Sequence, residues 1–153
     1  MDESAADLHW MRQALGHAAE AGRRGEVPVG AVLVHEGRLL AHGANDIEAP
    51  QDPTGHAEML AIRRAAQGLG SRRLLDTCLY VTLEPCAMCA GAIVLARVPR
   101  LVFGAHDPKT GACGSLRNVV ADERLNHRVR VRGGVLEEEC GALLRGFFAR
   151  LRS

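Results

Sequence analysis

Four side chains of this sequence have the types and spacing to do chemistry together. Cys86 and Cys89 stand three apart behind Pro85 in "LEPCAMCAGAI", which follows the strand-like run "TCLYVTL". Proline is favoured at a first helical position, so a helix is predicted from Pro85 to about Ala96, with both thiols on one face of its first turn. Unpaired N–H groups and the positive end of the helix dipole favour thiolates there. A pair of this kind alone reads as a redox CxxC, as two small buried residues, or as half of a structural or catalytic zinc site.

His56 and Glu58, in "HAE", change the balance. His56 offers a third donor and leaves one coordination position open, the arrangement of catalytic rather than structural zinc. Glu58 is rotated about 200° from His56 on an ideal helix, and shares its cavity only if the helix points at it end-on. H-x-E, 26 intervening residues (59–84) and then P-C-x-x-C is the signature of zinc deaminases that act on nucleobases. In that reading Zn²⁺ activates a water, and Glu58 takes a proton from it, delivers it to a ring nitrogen and helps ammonia leave. Two thiolates and a neutral imidazole leave the metal formally neutral, so its water is only moderately acidified and a carboxylate beside it is useful.

The elements that must position these residues follow from periodicity. Apolar residues at helical spacing predict a helix over 4–21, closed by Gly22 and Gly25. "VPVGAVLVHEGRLLAHGAN" reads as a hairpin turning at Glu36-Gly37. Thr54 is the expected N-cap of a second helix. "TCLYVTL", "RLVFGA" and "RVRVRGGV" supply three more strands, and residues 106–127 look irregular. The last helix carries a stripe of Leu143, Leu144, Phe147, Phe148 and Leu151, with at least one of the phenylalanines expected in the core. The order α-β-β-α-β-α-β-β-α predicts an α/β class with a mixed five-stranded sheet.

At 153 residues, one domain spanning 1–153 is expected. A net charge of +1 rules out a global polyanion signature, although arginines cluster at 128, 130 and 132 and at 145, 150 and 152. No apolar run approaches the roughly 18 residues of a membrane span, and the acidic start lacks a signal core, so no membrane association and a cytoplasmic location are expected. Five cysteines, odd in number, fit metal use for some and burial for Cys78, Cys113 and Cys140.

"EVPVGAVLV", "DPTGHAE", "LYVTLEPCAMCAGAI", "VFGAHDPKTGACGSL", "NHRV" and "LLRGFFARLR" together resemble the bacterial tRNA-specific adenosine deaminases, within the cytidine/deoxycytidylate deaminase superfamily, in register over nearly the whole chain. The resemblance implies a cytidine-deaminase-like three-layer α/β/α fold and a homodimer. It also implies conversion of adenosine to inosine at the wobble position of a tRNA anticodon, chiefly an arginine tRNA, with the anticodon stem-loop as partner. It assigns one Zn²⁺ per subunit to His56, Cys86 and Cys89, with Glu58 as proton shuttle. Asn45, Asp107, Lys109, Phe147, Phe148 and Arg152 correspond to substrate-contacting positions. Gly55 stands where the family usually has alanine, which should loosen the start of the second helix slightly. The rival readings are a zinc deaminase of a free base, nucleoside or nucleotide, of guanine or cytosine type, and a non-catalytic zinc-stabilised interaction module. Glu58 beside an open coordination position argues against the module.

Overall fold

The computed structural model describes residues 2–152. Helix α1 (Glu3–Arg23) is capped locally, with Asp2 Oδ1 accepting from the Ala5 amide at 2.8 Å. It buries Asp7, Met11, Ala14, Ala18 and Ala21, one stripe at helical spacing. The small residues on that stripe let α1 lie so close to the sheet that a Cβ on Gly30 would sit 2.2 Å from the Ala14 carbonyl oxygen. Strands β1 (Gly30–His35) and β2 (Arg38–Ala44) form the expected hairpin. Its turn takes Glu36 and Gly37 to φ of 51° and 77°, the left-handed pair that matches the twist of the strands.

Helix α2 (Ala57–Leu69) ends at Gly70, whose φ of 64° closes it with a left-handed cap. Then follow β3 (Thr77–Leu83), α3 (Ala87–Leu95), β4 (Arg100–Ala105), β5 (Arg130–Arg132) and α4 (Glu137–Arg152). The sheet runs β2-β1-β3-β4-β5. Its β2/β1/β3 half is antiparallel, and its β3/β4/β5 half is parallel. One face buries Ala57, Ala61 and Ala65 of α2 and Ala90, Ile93 and Val94 of α3 against Leu33, Leu79, Val81, Leu101 and Phe103. The other buries Met11 and Ala14 of α1 and Cys140 of α4 against Val32, Val34, Tyr80 and Val102. The alternation along β1, β3 and β4 thus feeds two apolar layers, and the fold is the cytidine-deaminase-like α/β/α sandwich with a mixed five-stranded sheet.

One expectation needs correction. The packed face of α4 is Cys140, Leu144 and Phe147, spaced i, i+4, i+7, whereas Phe148 is 39% and Leu151 66% exposed. A register anchored on Cys140 aims the last two residues of the expected stripe away from the sheet. Residues 106–127 are irregular as expected, holding turns and two isolated bridges, Cys86 with Gly111 and Cys113 with Asn118.

Candidate active site

The ends of parallel strands β3 and β4 and the exit from β2 open on one side of the sheet, the place where α/β folds form their crevices. α2 does not start where the sequence suggested. Thr54 instead turns back on Asp52, donating its amide at 2.9 Å and its hydroxyl at 2.7 Å, and His56 is the N-cap residue. Likewise Cys86, not a residue before Pro85, is the N-cap of α3, and Pro85 lies outside the helix. His56 and Cys86 keep extended backbones and make no side-chain cap bond, so both side chains are free to leave their helix axes and meet. This also removes the angular objection to Glu58, because His56 precedes the helical part of the chain.

His56 Nδ1 lies 3.7 Å from Cys86 Sγ and 3.5 Å from Cys89 Sγ, and one donor atom from each of the three falls within 4.8 Å of the others. Zn–S and Zn–N bonds of about 2.3 and 2.0–2.1 Å at a tetrahedral angle separate N from S by about 3.6 Å. The donor set and its spacing therefore fit Zn²⁺. So does its acid–base state. Hydrogen bonds from Cys89 and His56 draw the Cys86 thiol down to about 3, and the bond to Cys86 raises His56. Cys89 is pushed up by Cys86 beside it and by burial. Three lone pairs competing for protons at this distance are what a soft divalent cation satisfies together.

His56 and Cys86, with Cys89 buried behind them, open into a cavity of about 220 Å³ lined also by Val27, Val29, Asn45, Ile47, Glu58, Leu83, Glu84, Asp107 and Thr110. Glu58 is 4% exposed, and burial pushes its carboxyl up to about 7. A carboxyl balanced near neutrality, beside a metal-capable donor set, can both accept and return a proton.

The other expected residues divide. Asn45 is buried and lines the cavity, but its Oδ1 accepts from the Ala57 amide at 2.9 Å. From just past β2 it supplies the cap that His56 withholds. Its amide N–H groups remain available to a ligand. Asp107 lines the cavity, and its carboxylate accepts from the Lys109 and Thr110 amides and the Thr110 hydroxyl, at 3.0, 3.2 and 2.7 Å. Its first effect is to shape its own loop. Lys109, the only lysine of the chain, and Phe148 line a second, apolar cleft of about 560 Å³ that shares Val27, Leu83, Asp107 and Thr110 with the first. Phe147 is buried and stacks edge-on against Phe148, with centroids 5.5 Å apart, so it backs that ring rather than facing a ligand. Arg152 is exposed at the end of α4 and lines neither cavity.

Sequence reasoning missed two buried carboxylates, Glu84, which lines the cavity, and Glu26, which accepts from the amides of Ile47 and Glu48. It also misjudged Gly55. That residue is buried, and a Cβ on it would lie 2.1 Å from the Asp46 carbonyl oxygen, so glycine here tightens the approach to α2. Cys78 and Cys140 are raised by burial to about 11 and 12, which keeps them as thiols, and Cys113 is raised in the same way.

A family profile for MafB19-like deaminases matches residues 5–152. A tRNA-specific adenosine deaminase of Bacillus subtilis is 52% identical over 146 residues, 95% of this chain and 91% of the relative. A structure solved in a study of A-to-I editing by tRNA:A34 deaminases at the wobble position superposes with a TM-score of 0.86 at 46% identity, covering 89% of this chain and 99% of that one. A guanine deaminase of Bacillus subtilis is more distant, with a TM-score of 0.62 at 38% identity over 69% of this chain and 66% of its own. With the H-x-E…P-C-x-x-C donors converging at the crevice of a matching fold, the chain belongs to the family of tRNA-specific adenosine deaminases.

Proposed function

We propose that this protein hydrolyses adenosine to inosine and ammonia at the wobble position of a tRNA anticodon, chiefly that of an arginine tRNA, as a zinc-dependent enzyme of one domain over residues 1–153. One observation carries the reading. The donor set and Glu58 open into a cavity of about 220 Å³ that continues into a cleft of about 560 Å³ carrying Lys109 and Phe148. The inner space is below the roughly 300–1,000 Å³ of ordinary ligand pockets, and suits one flipped base. The outer one offers a cation and an aromatic face to the neighbouring nucleotides, the pairing used to hold single-stranded nucleic acid.

His56, Cys86 and Cys89 would hold a Zn²⁺, which supplies a Lewis acid that makes water a nucleophile near neutral pH. Glu58 takes the proton of the attacking water, passes it to the purine ring nitrogen, and then serves the departing amine. Val27, Val29, Ile47 and Leu83 exclude bulk water from that exchange. The Asn45 amide donates to the nucleoside, while Asp107 holds the loop that faces its ribose. Arg152 contacts the stem-loop backbone at the rim.

A homodimer is supported by α3, where Leu95 is 75% exposed beside Met88 and Ala92, an apolar face for a second copy. The substrate implies the cytoplasm, and among the described residues no helix is long and apolar enough to cross a membrane.

The guanine deaminase likeness defines the second reading, a deaminase of free bases. The deciding experiment incubates zinc-loaded protein with an arginine-tRNA anticodon stem-loop bearing wobble adenosine, and separately with free adenosine, cytidine and guanine, and measures inosine and ammonia. Stem-loop turnover far above that of the free compounds is expected, because contacts remote from the reacting base are used in the transition state. Equal turnover of free adenosine, or a preference for guanine, overturns the reading.

A further inference from the structure

Of the buried polar side chains in the described residues, Asp7 pairs with Arg100, and Asn45 and Glu58 belong to the site. Glu26 and Glu84, 3% and 2% exposed, are buried carboxylates with no role in the chemistry above. Buried carboxylates ordinarily need a cation. These two are satisfied by amides instead, and all those amides come from the two loops that wall the cavity.

Glu84 Oε1 accepts from the Asp107 amide at 3.0 Å and from the Ser115 hydroxyl, and Oε2 accepts from the Cys113 and Ser115 amides, each at 3.0 Å. Glu26 does the same on the opposite side, Oε1 accepting from Ile47 at 2.9 Å and Oε2 from Glu48 at 2.8 Å. Asp107 and Ile47 are cavity-lining residues from the two walls. Backbone fit supports the first clamp. A Cβ on Gly111 would lie 2.4 Å from Glu84 Cδ and 2.4 Å from the Asp107 carbonyl oxygen, so the loop passes over the carboxylate at a distance open to glycine alone. The Ala112 amide bonds Pro85 O at 2.9 Å, joining the same loop to the residue before Cys86.

We propose that Glu84 and Glu26 are positioning residues that hold the two walls of the substrate cavity at a fixed spacing, with Glu84 registering the Asp107–Ser115 loop directly against the Cys86 helix. The loop is otherwise irregular, and ordering it opposes a large conformational entropy. Four charge-assisted bonds converging on one side chain from three residues of the loop order it before any ligand arrives. Rate is sensitive to such preorganisation, since a displacement of about 1 Å away from the chemistry can cost about 100-fold. The inference rests on the proposed substrate cavity for its catalytic half only.

The test uses Glu84→Gln and Glu26→Gln in full-length, zinc-loaded protein. A glutamine offers one acceptor oxygen and turns N–H groups toward N–H donors. Amide hydrogen exchange should rise in residues 106–116 for Glu84→Gln and near 47–48 for Glu26→Gln, each without the other. Zinc should stay at one per chain. For Glu84→Gln, kcat per zinc-loaded molecule on the stem-loop should fall about 100-fold, with a much smaller change in KM. Unchanged exchange overturns the clamp. Loosened exchange with unchanged kcat per loaded molecule means the carboxylates only stabilise the fold, and overturns the positioning role. If wild type fails to act on the stem-loop, the proposed function fails, while the exchange arm still decides the clamp. Should Glu84→Gln not fold, Ser115→Ala removes one of the four bonds. It should loosen the same loop with a several-fold lower kcat, and an unaltered kcat there overturns the proposal.

Discussion

Asn45 offers a sharp test, because its two ends do different work. Oδ1 accepts the Ala57 amide at 2.9 Å and stands in for the cap bond that His56 does not make. Asn45→Ala leaves a buried donor unpaired at the start of α2, at a cost of about 1–2 kcal/mol. For a domain of this size that lowers Tm by roughly 2–8 °C. Asn45→Asp keeps an acceptor in place and sets a negative charge at the positive end of the helix dipole, so it should recover most of the loss. Neither variant retains the amide donor, so both should lose turnover on the stem-loop. Thermal unfolding is followed at one fixed, saturating zinc concentration, since metal binding itself raises Tm by mass action. Equal destabilisation by alanine and aspartate, or no change with alanine, would refute the capping role. Turnover surviving in Asn45→Asp would refute the donor role.

Three other outcomes are expected. Glu58→Gln should retain one zinc per chain by metal analysis and lose turnover by about 100-fold or more, whereas a zinc-free variant would make Glu58 part of the metal site instead. Asp7→Asn should cost about 3 kcal/mol in denaturant unfolding, since it leaves Arg100 and Arg132 without the carboxylate they hold at 2.7 Å. Burial alone would raise the Asp7 carboxyl, but the bonds from Arg100, Tyr80 and Arg132 outweigh it and hold it below the ordinary value of 3.8. Its stabilising contribution is thus complete above that value and lost as pH falls through the lower, folded one, so the advantage of wild type over Asp7→Asn should begin to shrink below about pH 4 and vanish only below the folded value. Lys109 is the only lysine, so amine acylation reads that loop alone apart from the chain start, and stem-loop RNA should protect it in mass-spectrometric footprinting.

The order of all nine elements was legible from the sequence, because periodicity and turn residues agree along the chain; Glu36-Gly37 marks its hairpin and Gly25, at a φ of 85°, lies just past the end of the first helix. The donor set was legible as a spacing, and the structure adds its convergence. What was not legible depends on partners far along the chain. Thr54 looks like an N-cap locally, yet Asp52 takes its donors and Asn45 supplies the cap from twelve residues upstream. Glu84 in "TLEPC" carries no local sign that a loop 23–31 residues later will surround it with donors. The α4 stripe was misread because Leu, Phe and Cys carry similar apolar weight, and only tertiary packing selects which arc of the helix meets the sheet.

The contrast among helix starts bears on the order of events in folding. α1 holds its own start signal in Asp2, and can be nucleated within a few residues of chain. α2 and α3 begin with a histidine and a cysteine that cap nothing. Forming a first helical turn is the unfavourable step of helix growth, and these two helices have no local bond to offset it. The bond that helps α2 comes from Asn45, just past β2 and twelve residues upstream, so its first turn gains that bond only once the intervening loop has closed. The start of α2 is thus expected to form later than that of α1, and Asn45→Ala should raise the rate of unfolding more than it lowers the rate of folding.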